Sequence, residues 1–285
     1  MTTFLGIYRE AACSPGRHRE NDASILELVA DALEAGGHGV ALSTADEAPR
    51  FAAAASVVFS MSRSPRVLEL LAQWAREGRM VVNRPEAVLS TARRALVGRT
   101  LGVSVPETHV VPTSRGARPR ALPSASGEWW VKGGELYASR REDVQRVGTM
   151  DQLERVLDDF ERRGVPTALM QQHVRGREVK FYAVGRGEFF YWLDTDNPTT
   201  NGAAGEPFQA PAIAAGDALA LEIFGGDLVI QDDGRAMLID LNDWPSFAPC
   251  REGAADAIAR HLEDRALASY ATRSPAGSAV PSASG

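Results

Sequence analysis

The stretch from residue 226 to 243, GDLVIQDDGRAMLIDLND, constrains the chain more than any other. Asp233-Gly234 lies between two alternating apolar runs and predicts a hairpin with a two-residue turn, because that dipeptide tolerates the positive φ such turns require. With this turn Asp232 opposes Arg235, Val229 opposes Leu238, and Asp227 directly opposes Asp240. Strand side chains alternate with period two, so Asn242 shares the face of Asp240 and Asp243 points away from it. Like charges opposite one another destabilise a sheet unless a cation compensates them. Two carboxylates and an amide oxygen, with no Cys or His beside them, suit a hard divalent cation. Mg²⁺, with water or phosphate completing its shell, fits best. The plainer alternative is that Asp240, Asn242 and Asp243 only terminate a strand, as Asp and Asn often do; Asp227 across the ladder favours the metal.

A magnesium site of this kind serves phosphates, which require cations from elsewhere in the chain to hold them. The chain uses 31 Lys and Arg, of which only Lys132 and Lys180 are lysines. Lys132 ends the strand-like GEWWVKGG, and Lys180 interrupts the apolar strand REVKFYAV, where the alternative is a side chain reaching for solvent. Arg93 or Arg94 could add a third phosphate contact. The 37 acidic residues outweigh the basic ones to give a net charge of −6, and no basic block or aromatic-interleaved basic stripe occurs, so nucleic acid is not an expected partner. No run long enough to span a membrane is present, and the N-terminus, MTTFLGIYRE, lacks the regions of a signal peptide; a soluble cytoplasmic protein is expected. Cys13 and Cys250 show no CxxC spacing, and the five histidines are scattered, so neither a disulfide framework nor a zinc site is indicated.

At 285 residues the chain has room for more than one packed unit. Residues 1–84 alternate strand and helix signals (TFLGIY, DASILELVADALEAGG, GVALST, ASVVFSM, SPRVLELLAQWAREG, RMVVN) and predict a small open parallel α/β domain. Residues 85–270 read as a second, α+β domain. It opens with a helical stretch from Pro85 to Gly102 and a strand at VPETHVV. After a Pro/Arg-rich loop come the strand bearing Lys132 and a helix capped by Thr149 and Gln152, with Leu153, Val156, Leu157 and Phe160 as its apolar stripe. TALMQQHV and the hairpin REVKFYAVGRGEFFYWL follow. Residues 194–212 read as a long loop of the kind that forms lids, and IAAGDALALEIFG as a helix. Residues 271–285 are small, polar and Pro/Ser/Gly-rich and are expected to be a disordered tail.

The segments GIYREAACSPGRHREND, VVNRPEAV, WWVKGGELYASRREDV, ALMQQHVRGREVKFY and GGDLVIQDDGRAMLIDLNDWPSFAPCREGAA together resemble the ATP-grasp superfamily. The likeness is to a compact bacterial branch of the ribosomal-protein glutamate ligase and glutathione synthetase type, and it runs from Thr3 to about Leu267. It implies a two-lobed ATP-grasp fold behind the N-terminal domain, with a nucleotide-binding lobe over about 108–175. It also implies ATP and one or two Mg²⁺ as cofactors, with Lys132 and Lys180 on the phosphates. Gln171, Gln172, His173 and Val174 would form the adenine hinge, and Asp227, Asp240 and Asn242 would be the metal ligands. Arg93 falls near a family lysine, and Asp240 stands where the family has Glu. Gln172 replaces an acidic hinge residue, and the phosphate loop is shortened to GGELYAS. Substrate contacts would come from Arg9, Ser14, Arg17 and Arg251, and Cys13 and Cys250 lie in those same loops.

The implied reaction is ADP-forming carboxylate–amine ligation through an acyl phosphate, on a small carboxylate such as an amino acid, with Arg93 and Arg251 as the catalytic candidates. A homodimer is compatible with this reading. The alternatives are a small-molecule kinase on the same fold and an inactive nucleotide-binding regulatory protein.

Overall fold

The alternation over the first 84 residues folds as a doubly wound parallel sheet. β1 (Thr3–Ile7), β2 (Gly39–Ser43), β3 (Val57–Ser60) and β4 (Met80–Val82) lie in the order β2-β1-β3-β4. This is seen in a computed structural model that describes residues 2–14, 18–123, 127–134, 141–203 and 205–273. Helix α1 (His18–Ala35) covers one face by packing Ile25, Leu26, Val29 and Leu33 on Phe4, Val57 and Phe59. The other face packs Leu5, Ile7 and Val58 under α2 (Ala48–Ala52) and α3 (Pro65–Arg76). Helix α2 was not anticipated, because its five residues, APRFA, are too few to carry a periodic apolar signal.

The helical stretch expected from Pro85 to Gly102 is instead two short helices, α4 (Pro85–Ser90) and α5 (Arg93–Leu96), followed by irregular chain. Gly98 and Gly102 adopt φ of +78° and +69°, which a helix cannot accommodate. The chain then builds an antiparallel sheet from β5 (Thr108–Pro112), β6 (Trp129–Gly133), β7 (Val144–Val147) and β8 (Thr167–Gln172), in the order β5-β8-β6-β7. Helix α6 (Met150–Arg162) packs its predicted stripe against Trp129, Val131, Ala168 and Met170. Its capping box is present: Thr149 Oγ1 accepts from Gln152 N, and the Gln152 side chain accepts from Thr149 N. Strand β7 was missed because VQRV is short and lies at a sheet edge.

A five-stranded antiparallel sheet completes the fold: β9 (Arg177–Val184), β10 (Phe189–Asp194), β11 (Asn201–Gly202), β12 (Ile223–Ile230) and β13 (Ala236–Asp243), in the order β11-β10-β9-β12-β13. The period of two in β9 divides its side chains. Val179, Phe181 and Ala183 join a core with Phe190, Trp192, Phe224 and Leu228, and Glu178 and Lys180 take the other face. Helix α7 (Gln209–Ala218) closes that core from below through Ala212 and Ala215, and α8 (Arg251–Arg273) returns to pack on α1.

Two expectations change here. The long loop of 194–212 is tied down rather than free: Asp194 Oδ1 accepts from Asp196 N and Asn197 N at 2.9 and 3.0 Å, and β11 pairs with β10. Its helix begins at Gln209, ahead of the IAAGDALALEIFG segment, because Pro211 is tolerated in a first turn, and it ends at Ala218, inside that segment. Helix α8 runs to Arg273, past the expected start of the tail, and residues 274–285 lie outside those described. Among the described residues no helix is long and apolar enough to cross a membrane.

Candidate functional site

The β12–β13 hairpin does bring Asp227 opposite Asp240, by a path the sequence did not reveal. The turn has three residues, not two. Gln231 N donates to Arg235 O and Gly234 N to Gln231 O, both at 2.9 Å, with Gly234 at φ +82°. Near the turn the register is therefore shifted by one: Val229 opposes Met237 and Leu228 opposes Leu238, and the predicted Asp232–Arg235 and Val229–Leu238 pairs do not form. A bulge between Leu228 and Asp227 leaves Ile239 unpaired in the ladder and restores the alignment, so that Asp227 faces Asp240 and Gly225 faces Asn242. Gly225 is required by crowding. A Cβ there would lie 2.7 Å from Phe181 O and 2.9 Å from Pro245 Cγ, because Pro245 folds back over β12 as the chain leaves β13.

Six charged side chains converge on this face. Lys180 is the ladder partner of Asp227, and its Nζ pairs with Asp227 Oδ1. Burial opposes a charged Lys180, but Asp227 outweighs it and raises the lysine pKa. Arg93 Nη2 lies 3.6 Å from Asp240 Oδ2. Burial would raise the Asp240 pKa, yet Arg93, Lys132 and Lys180 together hold it below the usual carboxylate value. Lys132 crosses from β6 to donate to Gln171 Oε1 at 2.8 Å and to Ile239 O at 3.0 Å, so the carbonyl of the bulged residue is the one that receives it. Burial lowers its pKa. Glu178 was not anticipated; it stands two residues before Lys180 on the same face, and its pKa is raised by burial and by Asp227. Its place in the alternation of REVKFYAV was the signal for it.

Between the two antiparallel sheets lies a cleft of about 440 Å³ that receives Lys132, Glu178, Asp227, Asp240 and Arg93. Trp130, Val144, Val229 and Ile239 supply its apolar walls, and Gln171, Gln172, His173 and Val174 run along one side. Gln172 N and His173 N already donate to Glu107 O and Glu128 O, both at 2.8 Å. Among the described residues Val174 N has no backbone partner, which leaves it as the free donor of this segment. His173 Nδ1 accepts from Trp130 Nε1 at 3.1 Å, and burial followed by Arg146 and Arg175 lowers its pKa, so it is a neutral ring with its proton on Nε2.

The substrate-clamp expectations fare differently. Arg9 is buried and committed, donating to Met61 O and Trp244 O and pairing with Asp22, and Ser14 Oγ donates to Asp22 Oδ2 at 2.6 Å. Neither is free to grip a ligand. Arg251 donates Nη2 to Asn21 Oδ1 at 2.8 Å, at the seam between α8 and α1. Arg17 and most of the GGELYAS loop lie outside the described residues. Neither Cys13 nor Cys250 is in a disulfide, and burial pushes the Cys250 thiol up to about 12. Asp243 points away from the cleft, as predicted, and pairs with Arg63 at 2.6 Å. Asn83, also unanticipated, accepts from Glu222 N and Ile223 N and donates to Ile223 O, joining the end of β4 to the start of β12.

A parallel α/β sheet, then two antiparallel sheets that close on a charged cleft, define the ATP-grasp fold, and this chain has it. No protein-family model and no curated protein sequence matches the chain. Solved structures do. D-alanine–D-alanine ligase from Bacillus anthracis complexed with ATP superposes with a TM-score of 0.72 at 10% identity, over 96% of this chain and 100% of that one. A RimK domain ATP-grasp protein from Sphaerobacter thermophilus gives 0.68 at 18% identity, over 93% and 98%. The ATP-grasp ligase PsnB, complexed with a precursor variant, Mg and ADP, gives 0.62 at 14% identity, over 93% and 99%.

Proposed function

We propose that the cleft binds ATP with Mg²⁺ and that the protein is an ADP-forming ligase joining a small carboxylate, such as an amino acid, to an amine. The observation that carries this reading is the meeting of Asp227, Asp240 and Asn242 on one sheet face with Lys180, Arg93 and Lys132 around it. The ATP, Mg and ADP held by two of the structural neighbours support it.

The donor set fits magnesium. Among the described residues no three His, Cys, Asp or Glu side chains form a preformed cage. That suits an ion held by one or two carboxylates and completed by phosphate and water. Asp227, Asp240 and Asn242 would hold it, and when bound it supplies neutralisation of phosphate charge. The chain's own residues do the rest. Val174 N–H and the neighbouring main chain read the base, with Trp130, Val144, Val229 and Ile239 against its faces, and Glu178 is placed to accept from a ribose hydroxyl. Lys132, Lys180 and Arg93 bind phosphate oxygens, aligning the γ-phosphorus for attack by the substrate carboxylate. ADP departs, and an amine attacks the acyl carbon of the resulting acyl phosphate, expelling inorganic phosphate and losing a proton as the amide forms. Positioning and charge neutralisation account for catalysis of this type without a nucleophilic side chain.

The test is a phosphate-release screen with Mg–ATP over amino acids, short peptides and polyamines. Release that requires both a carboxylate and an amine is the expected result; phosphate retained on a product would instead mark a kinase. Lys180→Ala and Asp240→Ala should each abolish release while keeping the wild-type circular dichroism. Unchanged release in both would overturn the assignment.

A further inference from the structure

The open end of the β12–β13 hairpin is gripped by the loops that follow β1 and β3. Arg63, just beyond β3, is almost fully buried. Its Nη2 lies 2.6 Å from Asp243 Oδ1 and donates to Asp243 O at 3.1 Å. Arg9, just beyond β1, donates to Trp244 O at 2.7 Å. Trp244 is itself fully buried, takes a positive φ of 31°, and stacks on Phe59 of β3 at 6.0 Å. The chain is thus fixed in the two residues that follow Asn242.

A buried ion pair is a poor device for stability alone. The cost of removing both charges from water is close to what the pair returns, and apolar residues of similar volume commonly hold as well. What this pair adds is a fixed point on the backbone, since one nitrogen of the planar guanidinium lies against the Asp243 carboxylate and also donates to the Asp243 carbonyl. Neighbouring residues of a strand point to opposite faces, so anchoring the side chain and carbonyl of Asp243 sets the rotation of β13 at Asn242. The need is real here. The bulge at Ile239 interrupts the ladder just before Asp240, and Asn242 faces a glycine, so the side chain it bonds is that of Asp240, itself a proposed ligand, and not one across the ladder.

We infer that Arg63 is a positioning residue for the metal end of β13, holding Asn242 in line with Asp240 by way of Asp243. This rests on the proposal that Asp240 and Asn242 bind Mg²⁺, and the test separates the two ideas. Mn²⁺ binding to the protein in the presence of ADP is followed by electron paramagnetic resonance, beside metal-free ADP affinity and thermal unfolding. Arg63→Lys keeps the charge and loses the planar fork; the double variant Arg63→Met with Asp243→Leu removes both charges and leaves none unpaired. Both are expected to fold, to bind metal-free ADP within twofold of wild type, and to bind Mn²⁺ about 10-fold more weakly. Wild-type Mn²⁺ affinity in either folded variant, or an equal loss of metal-free ADP affinity, overturns the role of Arg63. Failure of the double variant to fold also counts against it, because a pair that positions is replaceable without loss of the fold. Wild-type Mn²⁺ affinity in Asp227→Asn and Asp240→Asn would overturn the metal site itself, whatever Arg63 does.

Discussion

Lys180 on β9 faces Asp227 on β12 directly across the ladder, and the two side chains form an ion pair. Arg93, from helix α5, lies 3.6 Å from Asp240. Each carboxylate proposed to hold the metal is therefore covered by a cation proposed to hold phosphate, and metal and nucleotide binding require these partners to exchange together. Asp227→Asn releases Lys180 and removes one negative charge from the phosphate path. Metal-free ADP should bind this variant about 3- to 10-fold more tightly, the range of a modest surface-proximal charge interaction, whereas the gain from added Mg²⁺ is lost. Calorimetry in chelator and then in Mg²⁺ measures both. Weaker metal-free binding in the variant would show that Asp227 does not compete for Lys180.

His261 on α8 lies between two carboxylates, with Nδ1 2.7 Å from Glu188 Oε2 and Nε2 2.9 Å from Glu222 Oε2. Both nitrogens face acceptors, so both carry protons. Burial opposes that charge, but the bonds to Glu222 and Glu188 prevail and raise the histidine pKa. Burial would raise Glu222, yet His261 and Arg265 hold it low. A raised histidine pKa contributes stability fully below its unfolded value of about 6.5 and loses it as pH climbs through the folded value. The depressed Glu222 contributes above about pH 4.5 and loses its share in acid. His261→Asn should therefore cost most between about pH 5 and 6.5, on the order of 1–3 kcal/mol, with the difference shrinking toward pH 9. Urea unfolding at pH 6 and pH 9 reads it; a cost that grows with pH contradicts the imidazolium assignment.

Asn83 satisfies three backbone groups at the start of β12 from a site only 1% exposed. Asn83→Ala leaves two N–H groups without their acceptor and should cost about 3 kcal/mol. Differential scanning calorimetry tests this, and a melting point within a degree of wild type would mean that water replaces the amide at no cost.

The capping box of α6 is local and solvent-facing. Thr149→Ala should lower stability by about 1 kcal/mol and leave nucleotide affinity unchanged, since Thr149 is remote from the cleft lining. Denaturant midpoints and ADP titration of the same preparation decide it. A change in affinity would indicate that α6 couples to the hinge.

Where side-chain periodicity alone carried the signal, it was legible. The alternation over the first 84 residues and the apolar stripe and cap of α6 read directly from spacing, whereas β9 read only as an apolar strand interrupted by Lys180, although its period of two also carried Glu178. The facing of Asp227 and Asp240 was also anticipated, although the turn was misjudged by one residue and the bulge at Ile239 compensated for it. Bulges leave no mark in a hydrophobic pattern of this length. Arg9 could not be told from a surface arginine, because its commitment to Trp244 O depends on a contact between residues far apart in the chain.

Local chemistry in the sequence determined which residues could serve as oxygen ligands and phosphate cations, and which strand face each would occupy, because alternation and turn preference act over a few residues. The tertiary fold decided which of them meet. Lys132 reaches Ile239 O only because two separate sheets close on one cleft, and Arg63 finds Asp243 only because the N-terminal sheet docks on the end of β13. Those contacts arise from burial of apolar faces shared between distant segments, and no short-range pattern encodes them.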